Sequence, residues 1–222
     1  MTSFISTILV PRGAEYQAVC RGLRGKTVTP EVMPIPVGRA ALTRHLQQLQ
    51  QQRPFQAQSI LVLGLCGGLD PALRVGDRVL YRDCLTTDRP ALPCDPALTD
   101  HIATRLALQP VSAWTSDRVI WSSQEKIALA DRGTVVDMEG YGLLEFFRQT
   151  DCTLATLRIV SDDTAADIPD LSTAFDREGN LQPLPLAWGM VRRPVAALRL
   201  VRGSLTGLKA LEAVTSQLFA VS

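Results

Sequence analysis

Ser59-Ile60-Leu61-Val62-Leu63-Gly64-Leu65-Cys66-Gly67-Gly68-Leu69 decides the reading of the fold, an almost unbroken apolar run that ends in glycines. A strand with one wet face alternates apolar and polar residues. Ile60-Leu61-Val62-Leu63 does not alternate, so it reads as an interior strand covered on both faces. Leu157-Arg158-Ile159-Val160 has nearly the same character. Around these two runs, strand patterns occupy residues 4–10, 32–37, 59–65, 77–83, 111–121, 134–136 and 154–161.

Helical patterns lie between them. Residues 39–52 open after Gly38 and carry Leu42, Leu46 and Leu49 on one face. Residues 96–107 follow Asp95, a good cap, with proline at the first helical position. Residues 138–149 begin behind Asp137, and 194–221 form a long amphipathic stretch that Gly203 and Gly207 weaken and can split in two. Strands alternating with helices predict one α/β domain over residues 1–222 with a mostly parallel sheet. Residues 168–194 hold Pro169, Pro183, Pro185 and Pro194 and read as a long irregular segment, either a binding loop or a surface insertion.

Composition excludes several classes of function. Twenty-three basic and 22 acidic side chains nearly cancel, and no basic run is present to neutralise a nucleic-acid backbone. Five irregularly spaced cysteines form no CxxC pair and suit reduced thiols in a cytoplasmic protein better than a disulfide scaffold. With only two histidines, His45 and His101, a metal site is not expected. The start of the chain lacks the pattern of a secretory signal, and no stretch approaches the ~20 apolar residues of a membrane span.

Three segments can carry chemistry, each at the carboxyl end of an expected interior strand, where open α/β sheets bind ligands. Glycines at 64, 67 and 68 let a backbone approach a ligand, although taken alone a tight turn is the plainer reading. In Val136-Asp137-Met138-Glu139-Gly140, Asp137 reads as a helix cap, whereas Glu139 points toward the expected crevice. Ser161-Asp162-Asp163 ends another strand, and a carboxyl at the mouth of an apolar pocket can carry a proton near neutral pH. Solvated turn aspartates are the plainer reading of that pair. The three segments can form one pocket, and their placement alone leaves the reaction open.

These segments resemble, in order and spacing, the motifs of the nucleoside phosphorylase and nucleosidase superfamily. Leu63–Leu69 followed by Val75-Gly76-Asp77 is similar to its glycine motif and "VGD", residues 136–140 to its DMEG segment, and Arg158-Ile159-Val160-Ser161-Asp162 to its "RxxSD" strand. The likeness covers most of residues 4–165. It implies a three-layer α/β/α fold with a central mixed, mostly parallel sheet, and cleavage of the bond between ribose and a purine of adenine type. By the resemblance, Glu139 binds the ribose hydroxyls, Asp162 protonates purine N7, and Ser161 orients that acid. Thr115-Ser116-Asp117-Arg118-Val119-Ile120 is similar to the "SGDxFI" stretch, so Val119 and Ile120 flank the base, with Val119 in place of the usual ring. Cys66, Gly67 and Met138 complete the implied substrate contacts. Glu15, after the first strand, stands where the nucleosidases carry the glutamate that activates water.

The resemblance implies no cofactor, with phosphate as a candidate co-substrate. The phosphorylases commonly have Ser or Thr where this chain has Leu65, which cannot donate a hydrogen bond, so hydrolysis is the expected reaction. Arg12 and Arg39 are the candidate phosphate ligands, with solvated surface arginine as the plainer reading. A phosphate-dependent purine nucleoside phosphorylase and a catalytically silent nucleoside-binding protein are the alternatives. Gly67–Leu73 together with Arg192-Arg193-Pro194 is also similar to the hopanoid-associated branch, which acts on adenosylhopane; residues 168–194 would then accommodate a lipid-like 5′ substituent. The family implies a homo-oligomer and a small nucleoside as partner.

Overall fold

A computed structural model describes residues 4–220 except 172, 173, 175, 177 and 181, and only the backbone at 183, 185, 186, 188 and 189. The first half contains β1 (Thr7–Pro11), α1 (Ala14–Gly22), β2 (Glu31–Ile35), α2 (Arg39–Gln52), β3 (Ser59–Gly68), β4 (Arg78–Leu85) and β5 (Leu92–Pro93). The second contains α3 (Pro96–Leu106), β6 (Val111–Thr115), α4 (Ser123–Ala128), β7 (Val135–Asp137), α5 (Gly140–Phe147), β8 (Thr153–Asp162), α6 (Pro183–Arg192) and α7 (Pro194–Leu218).

Strand β3 has no polar face because its alternate side chains enter two cores. Ile60 and Val62 pack with Leu42 and Leu46 of α2 and with Leu143, Leu144 and Phe147 of α5. Leu61 and Leu63 pack on the other side with Val19 of α1, Leu98 and Ile102 of α3, and Leu211 and Val214 of α7. The central strand β8 divides in the same way, with Leu154 and Val160 in the first core and Leu157 and Ile159 in the second. Helices therefore cover both faces of an eight-stranded mixed sheet, a three-layer α/β/α architecture.

Five of the strands close on themselves. Strand β8 pairs parallel with β3 and antiparallel with β4. Strand β4 runs parallel to β6, and β6 parallel to β7. A short antiparallel pairing of Gly67 and Gly68 with Val136 and Val135 joins β7 back to β3. Strands β1 and β2 extend the sheet from β3.

The structure corrects several expectations. Gly67 and Gly68 form no turn; they continue β3 and are squeezed between β7 and β8. A Cβ on Gly67 would lie 3.1 Å from both Val136 Cγ1 and Asp162 Oδ2, so a side chain there would force its neighbours apart. Strand β6 stops at Thr115 rather than continuing to 121, because Ser116 N–H turns to Asp137 O (2.8 Å) and the Ser116 hydroxyl accepts from Arg118 N–H (3.2 Å). Segment 168–194 is not wholly irregular. It contains α6, whose Pro183 sits in the first helical turn, where the missing N–H costs no intrahelical bond.

Helix α7 is unbroken because its glycines face the sheet. A Cβ on Gly203 would run into the Ser161 carbonyl, and one on Gly207 would lie 2.9 Å from Leu65 Cδ2. Close packing there offsets the ~1 kcal/mol that each glycine costs a helix. Residue 221, the expected end of this helix, lies outside the described residues, as do five positions of the 168–194 segment. Among the described residues, no helix is long and apolar enough to cross a membrane.

Candidate active site

The carboxyl ends of β3 and β8, and the residues of the short antiparallel β7 and those just after it, line a cavity of about 220 Å³. Glu15, Glu139 and Asp162 all line it, together with Cys66, Gly67, Val119, Ile120, Met138 and Ser161. Arg12 and Arg39 do not. Arg12 donates to Asn180 Oδ1 (3.4 Å), and Arg39 makes two bonds to the Asp117 carboxylate, at 3.0 and 2.9 Å. Ile168 and Leu171, from the segment after β8, and Leu200 of α7 cover the cavity. A neighbouring groove of about 670 Å³ shares Val37, Arg118, Val119, Met138 and Leu171 with it.

A bulge in β8 aims the Ser161-Asp162 pair. Cys66 pairs with Val160, but Gly67 pairs with Asp162, leaving Ser161 as the extra residue. Consecutive strand residues normally point to opposite faces. The bulge breaks that alternation, so Ser161 and Asp162 both line the cavity. The Ser161 hydroxyl donates to Asp162 Oδ1 at 2.6 Å and lies 3.2 Å from Cys66 O.

Lys126 is the residue that the sequence reading missed. It projects inward from α4, is fully buried, and its ammonium forms an ion pair with Asp162 Oδ2. The same Nζ donates to Asp163 O at 3.1 Å. The sequence signal was Ser122-Ser123-Gln124-Glu125, a capping-box pattern that starts α4; Ser122 Oγ accepts from Glu125 N–H at 3.5 Å. Nothing in that pattern tells which face of the helix is covered.

Arg158, on β8, is the second buried cation. Its Nη2 reaches Glu139 Oε2 (3.2 Å) and Asp137 Oδ2 (3.5 Å), and its Nη1 lies 3.5 Å from Leu65 O. Asp137 is not the N-cap residue expected: it ends β7, and Glu139 occupies the N-cap of α5, which starts at Gly140. Asp137 accepts from Thr115 Oγ1 (2.8 Å) and from Gly140 N–H (3.1 Å) at the start of α5, while its other neighbour is Arg158. Glu139 Oε1 accepts from Gly38 N–H at 2.8 Å. Gly38 has φ of 88°, a conformation that a side chain would strain, and it sits at the N-cap of α2.

Glu15 enters from the other side, at the start of α1. Its Oε2 accepts from Leu65 N–H at 2.7 Å. Gly64 is glycine for lack of room: a Cβ there would lie 2.6 Å from Glu15 Oε2 and closer still to Arg158. Burial pushes the Glu15 carboxyl up to about 7, against the opposing pull of Arg158 and the Leu65 N–H. Burial also raises Glu139, again opposed by Arg158. The Cys66 thiol is driven upward by burial and is held as a neutral wall atom. Three acidic side chains thus share one arginine, an arrangement that favours positive charge in the cavity. Among the described residues, no group of three or more His, Cys, Asp or Glu side chains is placed to hold a metal ion.

Comparison with known proteins agrees with this architecture. No curated protein matches the sequence. Among solved structures, futalosine hydrolase of Helicobacter pylori is similar over 96% of this chain and 95% of its own, at 13% identity with a TM-score of 0.67. The 5′-methylthioadenosine/S-adenosyl homocysteine nucleosidase of the same organism is similar over 96% and 98%, at 14% identity and a TM-score of 0.65. A putative nucleosidase of that type from Francisella philomiragia gives 96%, 96%, 14% and 0.65. At such identities the likeness establishes the fold. The sequence profile of the Phosphorylase superfamily matches residues 10–182, and the chain belongs to that superfamily.

Proposed function

We propose that the protein hydrolyses the N-glycosidic bond of a purine nucleoside of adenine type and releases the free base. The observation that carries this reading is the convergence of Glu15, Glu139 and Asp162 on one cavity, although they are far apart in sequence. A cavity of about 220 Å³ suits one base and one ribose, and the adjoining groove leaves room for a 5′ substituent. The similar nucleosidase and hydrolase structures favour the same class of reaction.

Ribosyl transfer passes through a state resembling an oxocarbenium ion, with positive charge on the sugar and negative charge on the departing base. The proton for the base comes from the Lys126 ammonium by way of Asp162 Oδ2, leaving Lys126 as a neutral amine, while the Ser161 hydroxyl holds Asp162 Oδ1. Glu139, fixed by Gly38 N–H and Arg158, accepts from the ribose hydroxyls and faces the growing positive charge. Glu15, with a carboxyl poised near neutrality, removes a proton from the attacking water. Val119 and Ile120 supply an apolar wall for the base. Acid and base catalysis contribute about 10²- to 10⁴-fold each, and the remaining acceleration comes from positioning and preorganised charge.

Water is favoured over phosphate because neither Arg12 nor Arg39, the expected phosphate ligands, lines the cavity. Leu65 presents only its side-chain carbons and a backbone N–H already given to Glu15, while Arg12 and Arg39 are engaged elsewhere. The test is adenine release from 5′-methylthioadenosine, adenosylhomocysteine and adenosine, with and without inorganic phosphate. Release independent of phosphate, yielding a free ribose sugar, is expected. Release that requires phosphate and yields ribose 1-phosphate would replace hydrolysis by phosphorolysis, and bound nucleoside without release would replace catalysis by binding.

A further inference from the structure

Helices α6 and α7 carry an apolar stripe that stays exposed among the described residues. Leu184, Val191, Val195, Leu198, Val201 and Leu205 are all exposed, Leu184 at 82% and Val191 at 73%. They make up six of the nine large hydrophobic residues exposed among the described residues, and the other three lie apart along the chain. On α7, Val195, Leu198, Val201 and Leu205 follow at spacings of three and four along one face, away from Gly203 and Gly207, which press on the sheet. An exposed apolar band of this length marks a contact surface rather than ordinary scatter.

The charges flanking the stripe say what it meets. From residue 179 to residue 211 the chain holds Arg192, Arg193, Arg199, Arg202 and Lys209 and no aspartate or glutamate, although the charges of the whole chain nearly cancel. Arg193 lies on Trp121 and reaches Asp167 (3.6 Å). Arg199 and Arg202 border a cavity of about 520 Å³ that also includes Ser161, Asp162 and Asp163. Arg192, Arg199, Arg202 and Lys209 are all exposed beside the apolar residues. A second copy docked by twofold symmetry on this face would bring like charges together, with no carboxylate on either helix 183–192 or the first turns of α7 to answer them. An apolar band with a cationic border matches the boundary between acyl chains and anionic headgroups.

From this we infer that the α6–α7 face docks on an anionic lipid surface. The apolar side chains enter the headgroup boundary and the arginines meet the phosphates, with the helices lying in the plane of the membrane. Leu200, between Arg199 and Val201, lines the cavity described above, so the docked face lies beside the site. The inference rests on surface residues only and stands or falls independently of the reaction.

The full-length protein is mixed with vesicles of phosphatidylcholine alone or of phosphatidylcholine with phosphatidylglycerol, and the bound fraction is measured by sedimentation. Binding to the anionic vesicles, weakened by salt, and little binding to the neutral ones is expected. Leu198→Ser with Leu205→Ser should lower binding on the order of tenfold, and Arg199→Gln or Arg202→Gln by about fivefold each. All four positions are exposed, and unchanged circular dichroism and melting temperature confirm that the variants fold. Absence of binding to either vesicle, or binding indifferent to these substitutions, overturns the inference. So does a dimer in solution that Leu198→Ser dissociates, which would make the face a contact between copies of this chain.

Discussion

The ammonium of Lys126, buried inside α4, is ion-paired with the carboxylate of Asp162 at the end of β8. Lys126 has no exposed surface, whereas the Asp162 side chain retains 14% of its own. The two residues are therefore not equivalent. Removing the acid strands a fully desolvated charge, while removing the lysine leaves a carboxylate that water can still reach.

That asymmetry predicts a particular pattern of stability. Asp162→Asn should abolish base release and also destabilise the fold by about 3 kcal/mol, because the buried ammonium loses its partner. The double substitution Asp162→Asn, Lys126→Met should recover most of that loss without recovering activity. Lys126→Met alone should lower kcat by about 10²-fold and change the pH profile, with partial rescue by Lys126→Arg. Urea unfolding and adenine-release kinetics on the four variants and the parent provide the comparison. Additive stabilities would contradict the pairing.

Glu15 predicts opposite effects of pH on activity and on stability. Its folded carboxyl titrates near 7, above the ordinary 4.5, so the folded protein holds a proton that the unfolded chain has released between those values. This contribution to stability is fully present below pH 4.5 and is lost as pH rises through 7, amounting to about 2 kcal/mol once access of water to the cavity is allowed for. Activity runs the other way and should rise through pH 7 as the base ionises. Glu15→Gln should be nearly inactive, yet melt higher than the parent at pH 8. A variant that melts lower at pH 8, or an unchanged pH–rate profile, would remove Glu15 from this role.

Arg158→Met should be far more damaging in alkaline than in acidic solution. At pH 8 it leaves Asp137 and Glu139 buried without their cation, at a cost of about 4 kcal/mol. At pH 5 the raised Glu139 carboxyl can take up a proton, and much of the deficit should disappear. Denaturant midpoints at the two pH values test this directly, and an equal loss at both would mean that Arg158 acts by packing alone.

The legible and illegible parts of this molecule divide along physical lines. Ile60–Leu63 could be placed from its lack of alternation, because burial on two faces leaves that trace in any sequence. Residues 39–52 were legible for a similar reason, with leucines at helical spacing. Helix α1 was not, since it contributes mainly Ala18, Val19 and Gly22 to the interior and lies so close to α7 that a Cβ on Gly22 would meet Glu212 O at 2.6 Å. Such contacts depend on a partner helix almost two hundred residues away. The glycines at 67 and 68 looked like a turn because local rules cannot foresee that two other strands will crowd them. Glu15 was found only through the family resemblance, and Lys126 not at all, because a lysine on a six-residue helix normally reaches for water.

Closure of five strands into a ring has a mechanical corollary. An open sheet can adapt to a bulkier guest by splaying at an edge, but here every strand of the floor is tethered on both flanks. Adaptation to different nucleosides must therefore fall to what overlies the floor, namely Ile168, Leu171 and the first turns of α7. Diversity among relatives of this fold should accumulate in that roof, while the floor tolerates little beyond exchanges of equal size.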